Sequence, residues 1–382
     1  MTSQKRATRF VVLGLLAAAL IAAGSYLYPY LRLPDDPPEV LEEYAETGGT
    51  LVREVRARPR DDVETVITAV NAINSMLEAK SKKLNHPAET ECPLYPPKRL
   101  SDEATIVDEI VDLAKPVQDA VFDKFAVYSE MTIWSRGLIK AYPRNIALAW
   151  CHRAIREADS GRVSSAVTLI LDALKMSRGA IETPDLDHLG IGIGLEEITH
   201  KAIFRLLPVL SGDQRNALAA ELRARPDAVA MFLNALRVDA FVFAEYSANA
   251  RKGHEHQREK PLSGPIDGFL RRERLTRLAA MKMLSEAYDN WVHEGSNLPP
   301  PRSENILAAL KARSPFGMTS LAWVDTLLDL NISARYRTNA VIDALVSYDD
   351  RRDLRPGDPN ASIDYYNSRI VFRDGNVCIE RD

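Results

Sequence analysis

The residues with the clearest capacity for chemistry lie in one stretch, "DHLGIGIGLEEITH", at positions 187–200. Three glycines alternate with apolar residues there, and Glu197 and His200 follow, three positions apart. A glycine-rich loop can cradle a phosphate when a strand precedes it and a helix follows it. A Glu-x-x-His pair on a helix is the unit that di-iron bundles use as metal ligands. The stretch therefore raises three hypotheses: a phosphate loop, a metal site, or the packing of a helix.

The surroundings of this stretch favour packing. The preceding residues, "GAIETPDLDH", contain no buried strand, and Gly190, Gly192 and Gly194 lack the spacing of a dinucleotide loop. A di-iron site needs a second Glu-x-x-His pair, and the chain contains none. An amphipathic helix over 187–208, with glycines that let a neighbouring helix approach closely, accounts for more of the residues. We therefore assign no catalytic, cofactor-binding or metal-ligating residue, and metal binding through Glu197 and His200 stays as the alternative.

Two other polar groups have a simpler interpretation than a site. His254 and His256 form a His-x-His pair in the polar stretch 250–265, which we expect to be an exposed loop without a third metal ligand. A basic run follows, typical of one solvated helix face, although its charge would also suit anionic lipid or an acidic partner. Its members are Arg271, Arg272, Arg274 and Arg277. The sequence contains no Gly-x-Ser-x-Gly, His-Glu-x-x-His or Walker motif, so support for an enzyme is weak.

The chain has three cysteines: Cys92, Cys151 and Cys378. Cys151 follows Trp150 in a helical pattern, which predicts a buried, small apolar residue. Cys92 and Cys378 are the more accessible pair if a disulfide forms, and three free thiols are the default expectation.

Helices must position these residues, because apolar side chains recur at helical spacing from 61 to 348. Helical segments are predicted near 61–77, 106–125, 144–158, 162–180, 187–208, 212–224, 227–250 and 331–348. Asp61 with Glu64, and Ser211 with Gln214, have the spacing of capping boxes. Alternation with a period of two is absent across this span, so the sequence predicts an irregular helical bundle at 61–348.

One segment of the bundle resembles a tetratricopeptide repeat, in which two antiparallel helices pack through small residues. The segment spans residues 145–178, and its matching positions are Trp150, Ala154, Gly161, Ala166, Ile170 and Ala173. No second copy follows 34 residues later, and an array needs about three units to bury its core. We therefore expect a single helical hairpin of this type and not a solenoid.

The N-terminal segment has the strongest pattern in the sequence. No residue is charged from Phe10 to Leu31, and this run is long enough to cross a hydrocarbon core as a helix. Lys5, Arg6 and Arg9 precede it, so the positive-inside bias predicts a cytoplasmic N-terminus at 1–9 and an exported body. A cleaved signal peptide, with Ala22-Ala23-Gly24 as its cleavage site, is the alternative to a single transmembrane anchor at 10–31. Residues 32–60 would form a linker and juxtamembrane segment.

The C-terminal segment 349–382 changes character. "RIVFRDGNVCIER" (369–381) predicts a β-hairpin in which Ile370 and Phe372 face Val377 and Ile379. Asp358-Pro359, Tyr365-Tyr366 and the hairpin at 370–379 resemble the tails of uncharacterised single-pass, membrane-anchored helical proteins of bacteria. Those tails in turn resemble the terminal β segment of type II secretion pseudopilins. The N-terminus lacks the prepilin motif of pseudopilins, so the resemblance does not imply assembly into a pilus.

Composition limits the class of partner. The formal net charge is −4, and residues 1–32 hold four basic residues and no acid, so the body is more acidic than the whole chain. Such a body argues against nucleic acid as a partner, because phosphate binding needs a basic face. The sequence thus predicts a structural or protein-interaction module of the cell envelope, held in the inner membrane by 10–31, without a cofactor. A helical enzyme or ligand carrier with a pocket between helices is the alternative.

Overall fold

The fold is described from a computed structural model of the chain. The described residues are 38–56, 61–80, 100–120, 142–184, 186–257, 265–294, 300–308, 323–354, 358, 360, 362–365, 368–373 and 376–381. The predicted anchor at 10–31, the thiol of Cys92 and most of the loop at 86–102 lie outside these ranges.

The described residues are mainly helical and end in a small β-sheet. The helices are α1 Pro38–Arg56, α2 Asp61–Ala79, α3 Leu100–Ala120, α4 Tyr142–Asp159, α5 Val163–Ile181, α6 Leu186–Leu206, α7 Gly212–Arg223, α8 Ala228–Gln257, α9 Pro265–His293, α10 Ser303–Ile306, α11 Trp323–Val346 and α12 Tyr348–Arg351. A 3₁₀ turn, Leu207–Val209, follows α6. The strands are β1 Ser362–Asp364, β2 Ser368–Arg373 and β3 Asn376–Arg381. The predicted fold class, mainly α with a C-terminal β-hairpin, is therefore confirmed.

Among the helices in the described ranges, none is both long and apolar enough to span a bilayer. Helix α1 lies within the segment that the sequence analysis gives as linker and juxtamembrane. The polar stretch 250–257, predicted as a loop, is the last part of α8, so that prediction is wrong. Its alanine, arginine, lysine, glutamate and glutamine residues are good helix formers, and a polar composition suits a helix as well as a loop.

The chain divides into two compact units. The first comprises residues 1–49 and 236–326, and the second comprises 50–235 and 327–382. This division differs from the single helical domain expected at 61–348.

In the first unit, the start of α1 packs closely on α8 and α9. A Cβ at Gly48 would clash with the backbone carbonyl of Arg237, so only glycine allows this approach. The Tyr44 hydroxyl donates to the Met281 carbonyl at 3.2 Å. Further along, the Asp325 carboxylate accepts from the Ser303 backbone N–H at 2.8 Å and fixes the start of α10.

In the second unit, α4 and α5 form the predicted hairpin. The positions that resemble a tetratricopeptide repeat in the two helices, including Trp150, Ala154 and Ala166, are fully buried. Gly161 makes the turn at a φ of +79°, a conformation that glycine adopts without strain. Helix α6 contacts both helices of the hairpin, and α7 contacts α5.

Charged pairs join the hairpin to the helix before it. The Asp108 carboxylate of α3 accepts from the guanidinium groups of both Arg153 and Arg156 on α4. Lys80, directly after α2, pairs with Glu109 of α3. These groups are partly exposed, so apolar residues such as Ile73 and Ile110, both fully buried, contribute most to this contact.

The capping box at Ser211 is confirmed. The Gln214 backbone N–H donates to the Ser211 hydroxyl, and the Gln214 side chain accepts from the Ser211 backbone N–H. The next residue, Arg215, has its side chain almost completely buried. It donates to the Leu210 carbonyl at 3.0 Å, pairs with Asp349, and thus ties the start of α7 to α12.

The C-terminal hairpin is confirmed, and the structure supplies the register that the sequence left open. Ile370 pairs with Ile379, and Phe372 pairs with Val377. The structure adds a third antiparallel strand, β1, which pairs with β2. This strand has only three residues and no distinct alternation, so the sequence pattern did not predict it.

Candidate functional site

Helix α6 carries two ionisable side chains on its buried face. Glu196 and His200 are four positions apart, so they lie one above the other on one side of the helix. Apolar residues above and below them, such as Ile193 and Ile203, are buried in the same direction. Glu196 is 3% exposed and His200 is 1% exposed. A buried carboxyl group beside a buried imidazole is costly unless other groups satisfy it, so the neighbours of this pair define the site.

Glu196 pairs with Arg225, which follows α7. Arg225 Nε lies 2.8 Å from Glu196 Oε1, and both side chains are almost completely buried. Glu196 Oε2 makes no hydrogen bond within the described protein. The Thr338 hydroxyl of α11 is close to this carboxyl group but donates to the Ala334 carbonyl at 2.8 Å. Burial raises the pKa of Glu196 to about 7, and the Arg225 guanidinium opposes that shift only in part.

His200 contacts Tyr365, the residue that directly follows β1. Its Nδ1 lies 3.5 Å from the Tyr365 hydroxyl, the long end of the hydrogen-bond range. Its Nε2 is buried without a hydrogen-bond partner within the described protein. Burial, together with the nearby Arg225 and Arg337 guanidinium groups, lowers the pKa of His200 to about 3. The imidazole is therefore neutral at any physiological pH.

Tyr365 covers His200 from the side of the C-terminal sheet. The edge of its ring meets Phe204 of α6, with ring centroids 5.8 Å apart. On its other side, the Arg337 guanidinium of α11 lies 5.7 Å from the ring centroid, within the range of a cation–π contact. Burial raises the pKa of Tyr365 above its ordinary value, so the hydroxyl stays neutral. Tyr365 therefore links three elements of the second unit.

Glu197 and His200, which the sequence pairs, are not brought together. The Glu197 side chain is 38% exposed and pairs with Arg337 at 3.2 Å and with Lys201 at 3.6 Å, whereas His200 is buried. Residues three apart lie on neighbouring parts of a helix surface, but Glu197 is at the solvent edge of the buried face of α6 and His200 is inside that face. Within the described ranges, no three histidine, cysteine, aspartate or glutamate side chains are grouped as metal ligands.

The three glycines of the opening stretch differ in their surroundings. All lie inside α6, so a strand does not precede them as a phosphate loop requires. A Cβ at Gly192 would come within 2.9 Å of the Ser177 carbonyl and of the Ile181 backbone nitrogen, so Gly192 allows α5 to approach. Among the residues that the structure describes, none has an atom within 4 Å of a Cβ position at Gly194, and only Leu327, at 4.0 Å, comes that close at Gly190. The prediction that the glycines serve packing is correct for Gly192 and wrong for Gly190 and Gly194.

The His-x-His pair and the basic run lie on two further helices, α8 and α9. His254 and His256 lie on α8, and their side chains are outside the described ranges. In the basic run, Arg274 lies 3.8 Å from Glu42 and Arg277 lies 3.7 Å from Asp239, so these two are paired and only partly solvated.

The prediction that Cys151 is buried is confirmed, and burial raises the pKa of its thiol to about 12. The side chain of Cys378 lies outside the described ranges, as does Cys92.

Sequence reasoning missed four members of the buried cluster: Glu196, Arg225, Arg337 and Tyr365. A signal for Glu196 was present, because it falls on the apolar stripe of α6 exactly one turn before His200. The other three come from distant parts of the chain, and only the tertiary fold brings them to α6. Chemically, the cluster offers a carboxyl group that titrates near neutral pH beside an imidazole that resists protonation.

No protein-family model matches the chain, and neither a curated protein nor a solved structure matches it significantly.

Proposed function

We propose that this protein is a membrane-anchored module of the bacterial cell envelope whose helical body binds another protein. The anchor is the apolar segment 10–31 before an irregular helical bundle, and Lys5, Arg6 and Arg9 support a cytoplasmic N-terminus with an exported body. The function is that of a scaffold, without chemistry of its own.

The observation that supports binding is the stack formed by α4, α5 and α6. Stacked helices with small residues in their seams are the building units of repeat scaffolds, which bind proteins through broad surfaces. The exposed positions in the first two turns of α5 and in the middle of α7 are short and uncharged; Ser165, Thr168, Ala217 and Ala220 are examples. Surface helices normally carry charged residues there, and short uncharged side chains let a partner approach the helices closely.

Site-specific photocrosslinking in intact membranes tests the interaction. A photoreactive residue is placed singly at Ser165, Thr168, Ala217 or Ala220 of the full chain, and at Asn339, an exposed position on α11, as the matched control. We expect an adduct of one defined mass at positions on α5 and α7 and none at Asn339. Monomer alone at every position, or the same adduct at Asn339, contradicts a binding surface on α5 and α7.

Reporter fusions test the location separately. A phosphatase fused after Asp382 should be active, because it folds only where disulfides form, and a fluorescent protein that matures only in the cytoplasm should stay dark there. Replacing Lys5, Arg6 and Arg9 with glutamate should weaken or mix the orientation. An inactive phosphatase fusion together with a bright fluorescent-protein fusion would place the body in the cytoplasm.

A further inference from the structure

The C-terminal sheet closes over the only buried imidazole of the candidate site. Tyr365 directly follows β1, and β1 pairs with β2, which pairs with β3. Strand β3 contacts α6 and the 3₁₀ turn, and the sheet buries Ile370, Phe372 and Val377 in the core of the second unit. His200 is 1% exposed because Tyr365 and its sheet lie over it. Any movement that solvates His200 through this face must displace Tyr365.

The surroundings of His200 offer no partner for a positive charge. Its Nε2 faces no hydrogen-bond acceptor within the described protein, and its Nδ1 faces the Tyr365 hydroxyl. Two guanidinium groups act on it, Arg225 from the segment after α7 and Arg337 from α11. An imidazolium here would be a third positive charge in a buried place, which is strongly unfavourable.

The nearby carboxylate groups do not compensate a positive charge on His200. Glu196 is engaged by Arg225, and acid protonates its carboxyl group before it would protonate His200. Glu197 points toward solvent and pairs with Arg337 and Lys201. The helices packed against α6 add buried titratable groups at Cys151, His152 and Glu157 of α4 and at Asp172 of α5. The Cys151 thiol lies beside Thr199, Glu157 pairs with Arg153 and Arg162, and His152 and Asp172 each have a partner of their own.

We propose that the C-terminal sheet is an acid-sensitive cover: protonation of His200 releases Tyr365 and, with it, strands β1 to β3 from α6. The closed form holds the neutral imidazole, and the open form holds the imidazolium in water. Opening uncovers the part of α6 around Phe204, an aromatic surface that the closed sheet hides. The proposal does not depend on the membrane anchor or on a protein partner.

The expected size of the effect follows from proton linkage. In the open form, the imidazole has its ordinary pKa of 6.5, and in the closed form it has a pKa of about 3. Each pH unit between these values then favours opening tenfold, so the population of the open form should rise about 100-fold from pH 7 to pH 4.5. This holds if Glu196 stays buried against Arg225 and α11 when the sheet opens, because a solvated Glu196 would cancel the slope above pH 4.5.

Hydrogen exchange of the full chain in mild detergent, followed by mass spectrometry from pH 4 to pH 7.5 and corrected for intrinsic rates, measures the opening. Below pH 6.5, the corrected exchange rate of peptides that cover 368–381 should rise tenfold for each pH unit of acidification. The rate of peptides of α5 from 166–181 should not. In His200→Gln the slope should vanish, even if the variant opens more at every pH. In Tyr365→Phe, which keeps the ring against Phe204, the sheet should open more and keep the slope.

Three results would overturn the proposal: a flat response of the wild-type sheet, an undiminished slope in His200→Gln, or an equal slope in α5. Nitrogen-15 NMR of the imidazole groups adds a measurement on the wild-type protein that does not require His200→Gln to fold. The chain has seven histidines, and His200→Asn identifies the signal. A neutral His200 in the closed form at pH 4.5 is expected, and an imidazolium in the closed form at pH 5.5 contradicts the mechanism.

Discussion

Glu196→Gln tests whether burial or the nearby arginine decides the charge of the carboxyl group. Glutamine has nearly the same shape as glutamate but cannot ionise, so it imitates the protonated form permanently. The two effects on Glu196 oppose each other, because burial disfavours the charged form and Arg225, 2.8 Å away, favours it. In the structure, the effect of burial is the larger of the two, so the pKa of Glu196 is raised to about 7.

The sign and size of the effect follow from linkage. Between pH 4.5, the ordinary value, and pH 7, the folded protein holds a proton that the unfolded chain has released. The stability that the neutral carboxyl group provides is therefore complete below pH 4.5 and is lost as the pH rises through 7. At 1.36 kcal/mol per pH unit, the shift corresponds to about 3 kcal/mol. His200 has the opposite dependence, but it is the same in both proteins and cancels in the difference.

We therefore expect Glu196→Gln to match the wild type in free energy of unfolding at pH 4.5 and to exceed it by about 3 kcal/mol at pH 8. Hydrogen exchange of the α6 amides in the full chain measures the free energy of unfolding of the unit that contains the substitution. Glu197→Gln is the matched control, because it removes only the partly exposed ion pairs with Arg337 and Lys201 and should change the free energy by less than about 1 kcal/mol at either pH. A variant that is instead several kcal/mol less stable than the wild type at pH 8 would refute the reasoning, since it would mean that Arg225 holds a stabilised carboxylate.

Five further substitutions, at four positions, test the local structure by the change in free energy of unfolding from thermal or denaturant melts. Gly192→Ala should destabilise the protein by about 1–3 kcal/mol, because its methyl group would meet the backbone of Ile181. Gly194→Ala should instead stabilise it by up to about 1 kcal/mol, because alanine favours a helix more than glycine does. Equal effects of the two substitutions would contradict the assigned roles. Ser211→Ala should cost about 1 kcal/mol through loss of the capping box, and Ser211→Gly should cost less; a neutral alanine variant would contradict the cap. Gly161→Ala should cost about 1–2 kcal/mol because of its φ of +79°, and a stabilised variant would contradict that turn.

Local patterns predicted the elements well because their causes are local. Helical periodicity located most helices of the body, and the spacing of Ser211 and Gln214 predicted a capping box whose two hydrogen bonds form. The alternation around the C-terminal turn predicted that the apolar residues of the two strands face each other, and the structure pairs Ile370 with Ile379 and Phe372 with Val377. In each case, the interaction joins residues that are close in the sequence, so composition and spacing contain the information.

The candidate site could not be predicted in the same way. Glu197 and Glu196 are adjacent, and either can be placed three or four positions before His200 by a helical pattern. Only the apolar stripe distinguishes them, because the stripe continues through Glu196 and leaves Glu197 at its edge. Arg225 and Tyr365 reach α6 from 25 and 165 positions beyond His200, and no local pattern specifies such contacts.

The free energy that it costs to bury the charged groups of the cluster indicates that the cluster contributes specificity of docking and not stability. Replacing a buried ion pair with apolar residues is often neutral or stabilising, so the pair of Glu196 and Arg225 is poorly explained by stability alone. Its members come from α6, the segment after α7, α11 and the residue after β1, and their contacts with one another form only when these elements dock in one arrangement. An apolar cluster would tolerate a sheet shifted along α6, whereas a shifted Tyr365 would lose both its contact with His200 and its place beside Arg337. The cluster therefore favours a single docked position of the C-terminal sheet, and it makes that position dependent on protons, because the groups that define it are titratable.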